Sequence, residues 1–195
     1  MKKILNYLAI GIFCAFCTLS FSALDAHAYD INTAPVKEYS VTPVLGYMRS
    51  IANDDSYGVF SYGAQIMRKV GKVEFGMEIL GIAEYQDSDD IYDNYQGANI
   101  SVLGRYYFND PDQFWLSPFI GMGLGVYTVN EKLFDDKAST GFSVNSDLGL
   151  KINVAKYNTH DFDWVIAYRY QYLTAFSDYG TKNNMGAYTG FKVSW

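Results

Sequence analysis

The chain has 195 residues and a formal net charge of -6, enough material for one domain and too acidic for a general nucleic-acid binder. Mean hydropathy close to zero excludes a bundle of transmembrane helices. With 17% aromatic and only 18% charged residues, a disordered chain is excluded too, because so many rings need a packed or lipid surface to rest on.

The first element is a targeting segment. Lys2 and Lys3 precede a nearly continuous apolar run from Ile4 to Phe21, and Ala26-His27-Ala28 then places small residues where signal peptidase reads them. The expectation is an export signal over 1–28, cleaved after Ala28. A retained membrane anchor fits less well, because the run is near the minimum length and lacks a basic stop-transfer flank. Both cysteines, Cys14 and Cys17, fall inside this segment. Phe16 is too bulky for a lipoprotein box before Cys17. The exported chain therefore carries no thiol chemistry, no disulfide and no Cys-based metal site into an oxidising compartment.

Residues 29–38 are polar and unpatterned, which predicts a short lead-in. From 39 onward the chain alternates with a period of two, the signature of strands whose successive side chains point to opposite faces. The predicted strands, in order, are 39–49, 59–70, 72–85, 97–108, 114–128, 140–154, 162–173 and 183–195. In 39–49 one face carries Tyr39, Val41, Pro43, Leu45 and Tyr47. In 59–70 it carries Phe60, Tyr62, Ala64, Ile66 and Val70, with Arg68 as an exception near the end. In 72–85, Val73, Phe75, Met77, Ile79 and Ala83 oppose Lys72, Glu74, Glu78 and Glu84. In 97–108, Ile100, Val102, Tyr106 and Phe108 oppose Asn99, Ser101, Arg105 and Tyr107. In 114–128, Ile120, Met122, Leu124 and Val126 oppose Gly121, Gly123, Gly125 and Tyr127. In 140–154, Phe142, Val144, Leu148, Leu150 and Ile152 oppose Ser143, Asn145, Asp147 and Lys151. The last two strands are the most regular. Phe162, Trp164, Ile166, Tyr168, Tyr170 and Tyr172 share one face, as do Met185, Ala187, Thr189, Phe191, Val193 and Trp195.

The connections alternate in kind. Val70-Gly71, Asn109-Asp110-Pro111-Asp112 and Tyr157-Asn158-Thr159-His160 are short turn sequences. The segments 50–57, 86–94, 130–139 and 174–182 are mostly longer and more acidic. An even number of alternating strands, joined by short turns at one end and longer polar loops at the other, predicts an all-β fold: an eight-stranded antiparallel up-and-down transmembrane β-barrel over 39–195. Hydrocarbon offers no partner to a backbone N–H or C=O, so a sheet in a bilayer must close on itself. Only one face of each strand must then be apolar, which accounts for the near-neutral hydropathy. The aromatic excess supplies two boundary girdles: Tyr39, Phe75, Tyr106, Phe108, Phe162, Trp164, Phe191 and Trp195 near the short turns, and Tyr47, Phe60, Tyr85, Tyr170 and Tyr172 near the long loops. A soluble ligand-holding barrel would invert the pattern, with charge outside. The uncharged face of the last two strands argues against it.

On this signal segment, strand count and final aromatic strand, the chain resembles the small eight-stranded outer-membrane barrels of Gram-negative bacteria, the OmpA/OmpX/OmpW-like or porin-family barrel domains. The resemblance covers about 39–195 and is mostly pattern. It implies location in the bacterial outer membrane, with both termini and the short turns facing the periplasm and the longer loops outside. It also implies that the final strand is a C-terminal assembly signal, carried by Tyr188, Phe191, Val193 and Trp195, read by the barrel-assembly machinery. The terminal residue in such families is usually Phe, with Trp a variant.

The ionisable residues on the expected interior face are Lys72, Glu74, Glu78, Glu84, Arg105, Asp147, Lys151, Arg169 and Lys192. Eight strands enclose just enough space for side chains to fill, and buried charges must pair. These residues are therefore expected to form an interior charged network, with Glu74, Glu78, Arg105, Lys151 and Arg169 near mid-barrel. A narrow path for ions or small solutes lined by the same groups is the alternative. Asp87, Asp89, Asp90 and Asp93 are weak candidates for divalent-cation contacts, lacking the spacing of a calcium loop. A lipid-modifying enzyme is the remote alternative, but His160 lies in a turn and no His–Ser pair sits on the lipid face. The expectation is a non-enzymatic, cofactor-free, monomeric barrel with a structural or surface-interaction role. Its expected partners are outer-membrane lipid and lipopolysaccharide, with host or environmental ligands at the outer loops and no nucleic acid.

Overall fold

In the computed structural model, residues 38–50, 58–85, 96–130, 138–157, 160–174 and 182–195 are described. The signal segment, the lead-in apart from Glu38, and nearly all of the four longer connections lie outside them, and so do Asp87, Asp89, Asp90 and Asp93.

The strands are β1 (Tyr39–Ser50), β2 (Gly58–Val70), β3 (Val73–Tyr85), β4 (Gln96–Tyr107), β5 (Leu116–Asn130), β6 (Ala138–Tyr157), β7 (His160–Leu173) and β8 (Lys182–Ser194). Each pairs antiparallel with its sequence neighbours, and β8 pairs with β1 to close the barrel. Strand positions match the periodicity to within a few residues. β6 is the longest, at 20 residues. Its excess projects past the start of β5, which begins opposite Ile152, and a register shift between Asn153 and Ala155 bends it there.

Closure leaves no open sheet edge along the shared span of the strands. The β1–β8 ladder has one interruption. It runs through Ser40↔Ser194 and Val41↔Val193 and resumes at Val44↔Gly190. Pro43, which has no N–H to give, lies in the gap.

Burial follows the alternation. In β1 and β7 the pattern is strictly in-out. Leu124, Met122 and Leu148 are more than 60% exposed, in mid-strand, among other apolar residues. In water such a surface would be a large liability; facing hydrocarbon it is the favourable arrangement. Tyr39, Tyr106, Phe108, Trp164, Phe191 and Trp195 are exposed toward the short-turn end, and Tyr47, Phe60 and Tyr170 toward the other. Phe114, Trp115 and Tyr157 extend the first girdle.

Two details differ from the sequence expectation. Lys72 is exposed in the turn between β2 and β3, not inside, because Gly71 with φ of 59° completes the hairpin and β3 begins only at Val73. The connection between β4 and β5 is also longer than four residues, running from Phe108 to Trp115.

Candidate functional site

The barrel interior is the one place where chemistry-bearing side chains converge among the described residues. It is filled in three levels, each built by residues that alternate inward from several strands.

The middle level centres on Arg169 of β7. Its Nε and Nη2 donate to Asp147 Oδ1 and Oδ2 of β6 at 2.7 and 2.9 Å. Its Nη1 and Nη2 donate to Glu78 Oε1 and Oε2 of β3 at 2.6 and 3.0 Å. One guanidinium thus holds two carboxylates, each through a two-bond fork, the geometry that makes such pairs strong. Asp147 and Arg169 are register partners, whereas Glu78 reaches from across the lumen. The Tyr188 ring lies 4.7 Å from the Arg169 guanidinium carbon. Its hydroxyl donates to Asp147 Oδ2 at 3.0 Å and accepts from Arg105 Nη2 at 2.9 Å. Gln65 donates to Glu78 Oε2 at 2.6 Å and accepts from Arg105. Gly121 makes room for this cluster: a Cβ there would stand 3.3 Å from both Arg105 Cγ and Asp147 Cβ. Gly123 and Gly125 leave room further up β5, against Leu103 and against Ser101 and Ser143.

The lower level, toward the short turns, is a second ionic group. Lys192 of β8 bonds Glu74 of β3, and Tyr107 donates to Glu74 Oε2 at 2.9 Å. Arg105 Nη1 stands 3.9 Å from the same carboxylate, so Arg105 joins the two levels. Lys151 is 3.4 Å from Asp163 Oδ2 and donates to the Pro111 carbonyl at 2.5 Å. Lys69 pairs with Asp112, and Arg68 with Glu38 at 3.3 Å.

The upper level is uncharged among the described side chains. Ser143 donates to Asn99 Oδ1 at 2.8 Å, Asn99 to Ser101 at 2.9 Å, and Asn145 to Ser101 at 3.2 Å. Asn184 donates to Gln171 Oε1 at 3.2 Å. Met48, Val59 and Ile82 fill the opposite wall.

Seven of the nine residues expected inside lie in the interior: Glu74, Glu78, Arg105, Asp147, Lys151, Arg169 and Lys192 are all at most 6% exposed, whereas Lys72 is in a turn. Glu78, Arg105 and Arg169 meet at mid-barrel. Glu74 and Lys151 instead belong to the lower level, Glu74 because it is the second residue of β3 and Lys151 because it pairs with Ser117, the second residue of β5. The Glu84 side chain lies outside the described residues. Sequence reasoning missed Asp161 and Asp163, both buried. Their alternation in β7 was visible, but a carboxylate near a turn reads as hydrated unless a lysine from another strand is known to meet it. Of the C-terminal residues, Phe191 and Trp195 point outward, while Tyr188 points inward into the ionic cluster.

The middle of the interior is filled by the bonded side chains of Arg169, Glu78, Asp147, Arg105, Gln65 and Tyr188. Two small voids of about 10 Å³ lie within the barrel, one beside Glu78 and Arg169 and one beside Lys151 and Asp163. Each has room for about one water. No group of three or more His, Asp or Glu among these residues is arranged to hold a metal ion. His160 is exposed at the start of β7.

A closed antiparallel barrel of eight strands, apolar outside and packed with paired charges inside, is the architecture of a small transmembrane barrel. A known structure shares it. Neisserial surface protein A superposes with a TM-score of 0.67 at 16% identity, covering 80% of this chain and 97% of that one. The N-terminal β-barrel domain of Pseudomonas aeruginosa OprF aligns at 0.49 and 18% identity, over 78% of this chain and 96% of that one. The outer membrane protein OprG of the same organism aligns at 0.46 and 13% identity, over 81% and 97%. No protein-family model matches the sequence, and no curated protein matches it. The chain has the fold of the outer-membrane barrels.

Proposed function

We propose that the protein is a non-enzymatic integral outer-membrane barrel that serves as a closed structural and surface-presenting scaffold. The observation that carries this reading is the middle level, where Arg169 is held across the lumen by four hydrogen bonds between Glu78 and Asp147. A cluster so fully bonded is a plug and a wall-to-wall tie. Breaking it exposes buried charge, which costs several kcal/mol. The outer wall supports a lipid environment, and the four longer connections are the surface available to lipopolysaccharide and to host or environmental ligands. Phe191, Val193 and Trp195 fit a C-terminal recognition strand for the assembly machinery, and Tyr188 serves the interior.

Fractionation tests the reading. The protein is expected in the outer-membrane fraction, resistant to alkaline carbonate, and heat-modifiable in gels. In whole cells, protease is expected to cut the 86–94 connection and spare 108–115. Recovery as soluble periplasmic material would contradict it.

A further inference from the structure

The connection between β4 and β5 does more than turn the chain. Pro111 is buried, and Asp112 sits between two walls of the barrel. Lys69 of β2 bonds its carboxylate. Lys156 of β6 donates to its carbonyl at 3.0 Å, and Lys151 of β6 donates to the carbonyl of Pro111. The turn is internally braced, since Asp112 N donates to Asp110 Oδ1 at 3.0 Å and Phe114 N to Asp110 O at 3.2 Å. Its main-chain bonds to the barrel come only at its ends, from Phe108 N to Pro118 O and from Asn153 N to Trp115 O. Between those ends, the Asn109 side chain donates to the Leu116 carbonyl at 2.9 Å, and the remaining hydrogen bonds to the walls come from three lysine ammonium groups.

We propose that residues 108–115 form a latched strap across the short-turn mouth, one that lifts to admit water and small ions to the lower charged level while the middle level stays shut. Two features make lifting cheap. The Asp112 side chain is 43% exposed, so its pair with Lys69 is open to screening by salt. Lys151 has a second acceptor in place: Asp163 Oδ2, buried and without a hydrogen-bond partner, lies 3.4 Å from its ammonium. When Pro111 leaves, Lys151 turns to Asp163, and Lys69, buried while it holds Asp112, is hydrated by the water that enters. The Arg169 cluster makes no bond to the strap, so lifting wets the lower chamber without opening a path through the barrel.

Cys14 and Cys17 lie outside the described residues, and with both replaced by serine the folded protein in detergent micelles carries no thiol of its own, which allows a direct test. Ser40→Cys reports on the lower chamber, where Ser40 is 4% exposed, and Ser143→Cys on the upper level, where Ser143 is 1% exposed. Each is reacted with a small charged methanethiosulfonate. Asp112→Asn is expected to speed reaction at Ser40→Cys about fivefold, the loss of one partly exposed ion pair, and to leave Ser143→Cys unchanged. Raising salt to about 1 M is expected to speed Ser40→Cys alone in the chain with Asp112 intact, and to do little once Asp112→Asn is present. This salt arm decides the matter even where the variant folds poorly. Rates at Ser40→Cys that neither change moves, or that rise in step with those at Ser143→Cys, overturn the proposal.

Discussion

The two halves of the barrel interior solve the same packing problem with different chemistry. Toward the short turns, every strand but β1 and β5 contributes a buried charge, and the fill is ionic: Glu74, Glu78, Asp147, Asp161 and Asp163 against Lys69, Arg105, Lys151, Arg169 and Lys192. Toward the long loops the described fill is neutral: Asn99, Ser101, Ser143, Asn145, Gln171 and Asn184 beside Met48, Val59 and Ile82. The difference is energetic. Neutral amide and hydroxyl pairs each contribute about 0.5–1.5 kcal/mol and can be lost singly. A buried ion cluster contributes little over a well-packed apolar fill, yet removal of one member leaves uncompensated charge. The lower half is therefore rigidly specified and the upper half tolerant.

The largest expected effect lies at the hub of the ionic half. Arg169→Leu strands both Glu78 and Asp147 and is expected to cost about 3–5 kcal/mol in urea-driven unfolding from lipid vesicles, followed by tryptophan fluorescence. Adding Glu78→Gln and Asp147→Asn to that variant is expected to recover much of the loss. A recovery of nothing would mean that shape, not charge, holds this level. Next comes a control on the outer wall. Leu124→Arg, in mid-strand and facing out, is expected to cost about 2–4 kcal/mol in the same vesicles, whereas an arginine replacing Val70 at the strand end costs about 1 kcal/mol or less. Equal effects at the two depths would remove the lipid-facing reading of the exterior. The smallest effect belongs to the neutral half: Asn145→Ala is expected to cost about 1 kcal/mol. A loss as large as that of Arg169→Leu would erase the distinction between the halves.

Much of this is legible in the sequence. Period-two alternation located all eight strands and sorted their faces, because a membrane barrel imposes one rule on every strand. It was least reliable at the ends. Lys72 obeys the alternation yet lies in a turn, since one glycine with positive φ decides where a hairpin closes. Arg68, on the outward face by parity, is buried against Glu38 and Tyr39 at the barrel rim. Pairing was not legible at all. That Glu78 would meet Arg169, 91 positions away, depends on lumen width and strand stagger, which a sequence pattern does not encode. The same is true of Asp112, a turn residue by composition, whose contact with Lys69 appears only when the turn folds under the mouth.

The claim that the interior is a plug is tested most directly by conductance of the purified protein in planar bilayers. The account predicts no discrete channel openings, before or after salt has loosened the strap, because the Arg169 cluster stays closed. Discrete cation-selective openings that vanish in Glu78→Gln or Arg105→Gln would contradict it and make the same residues the lining of a pore.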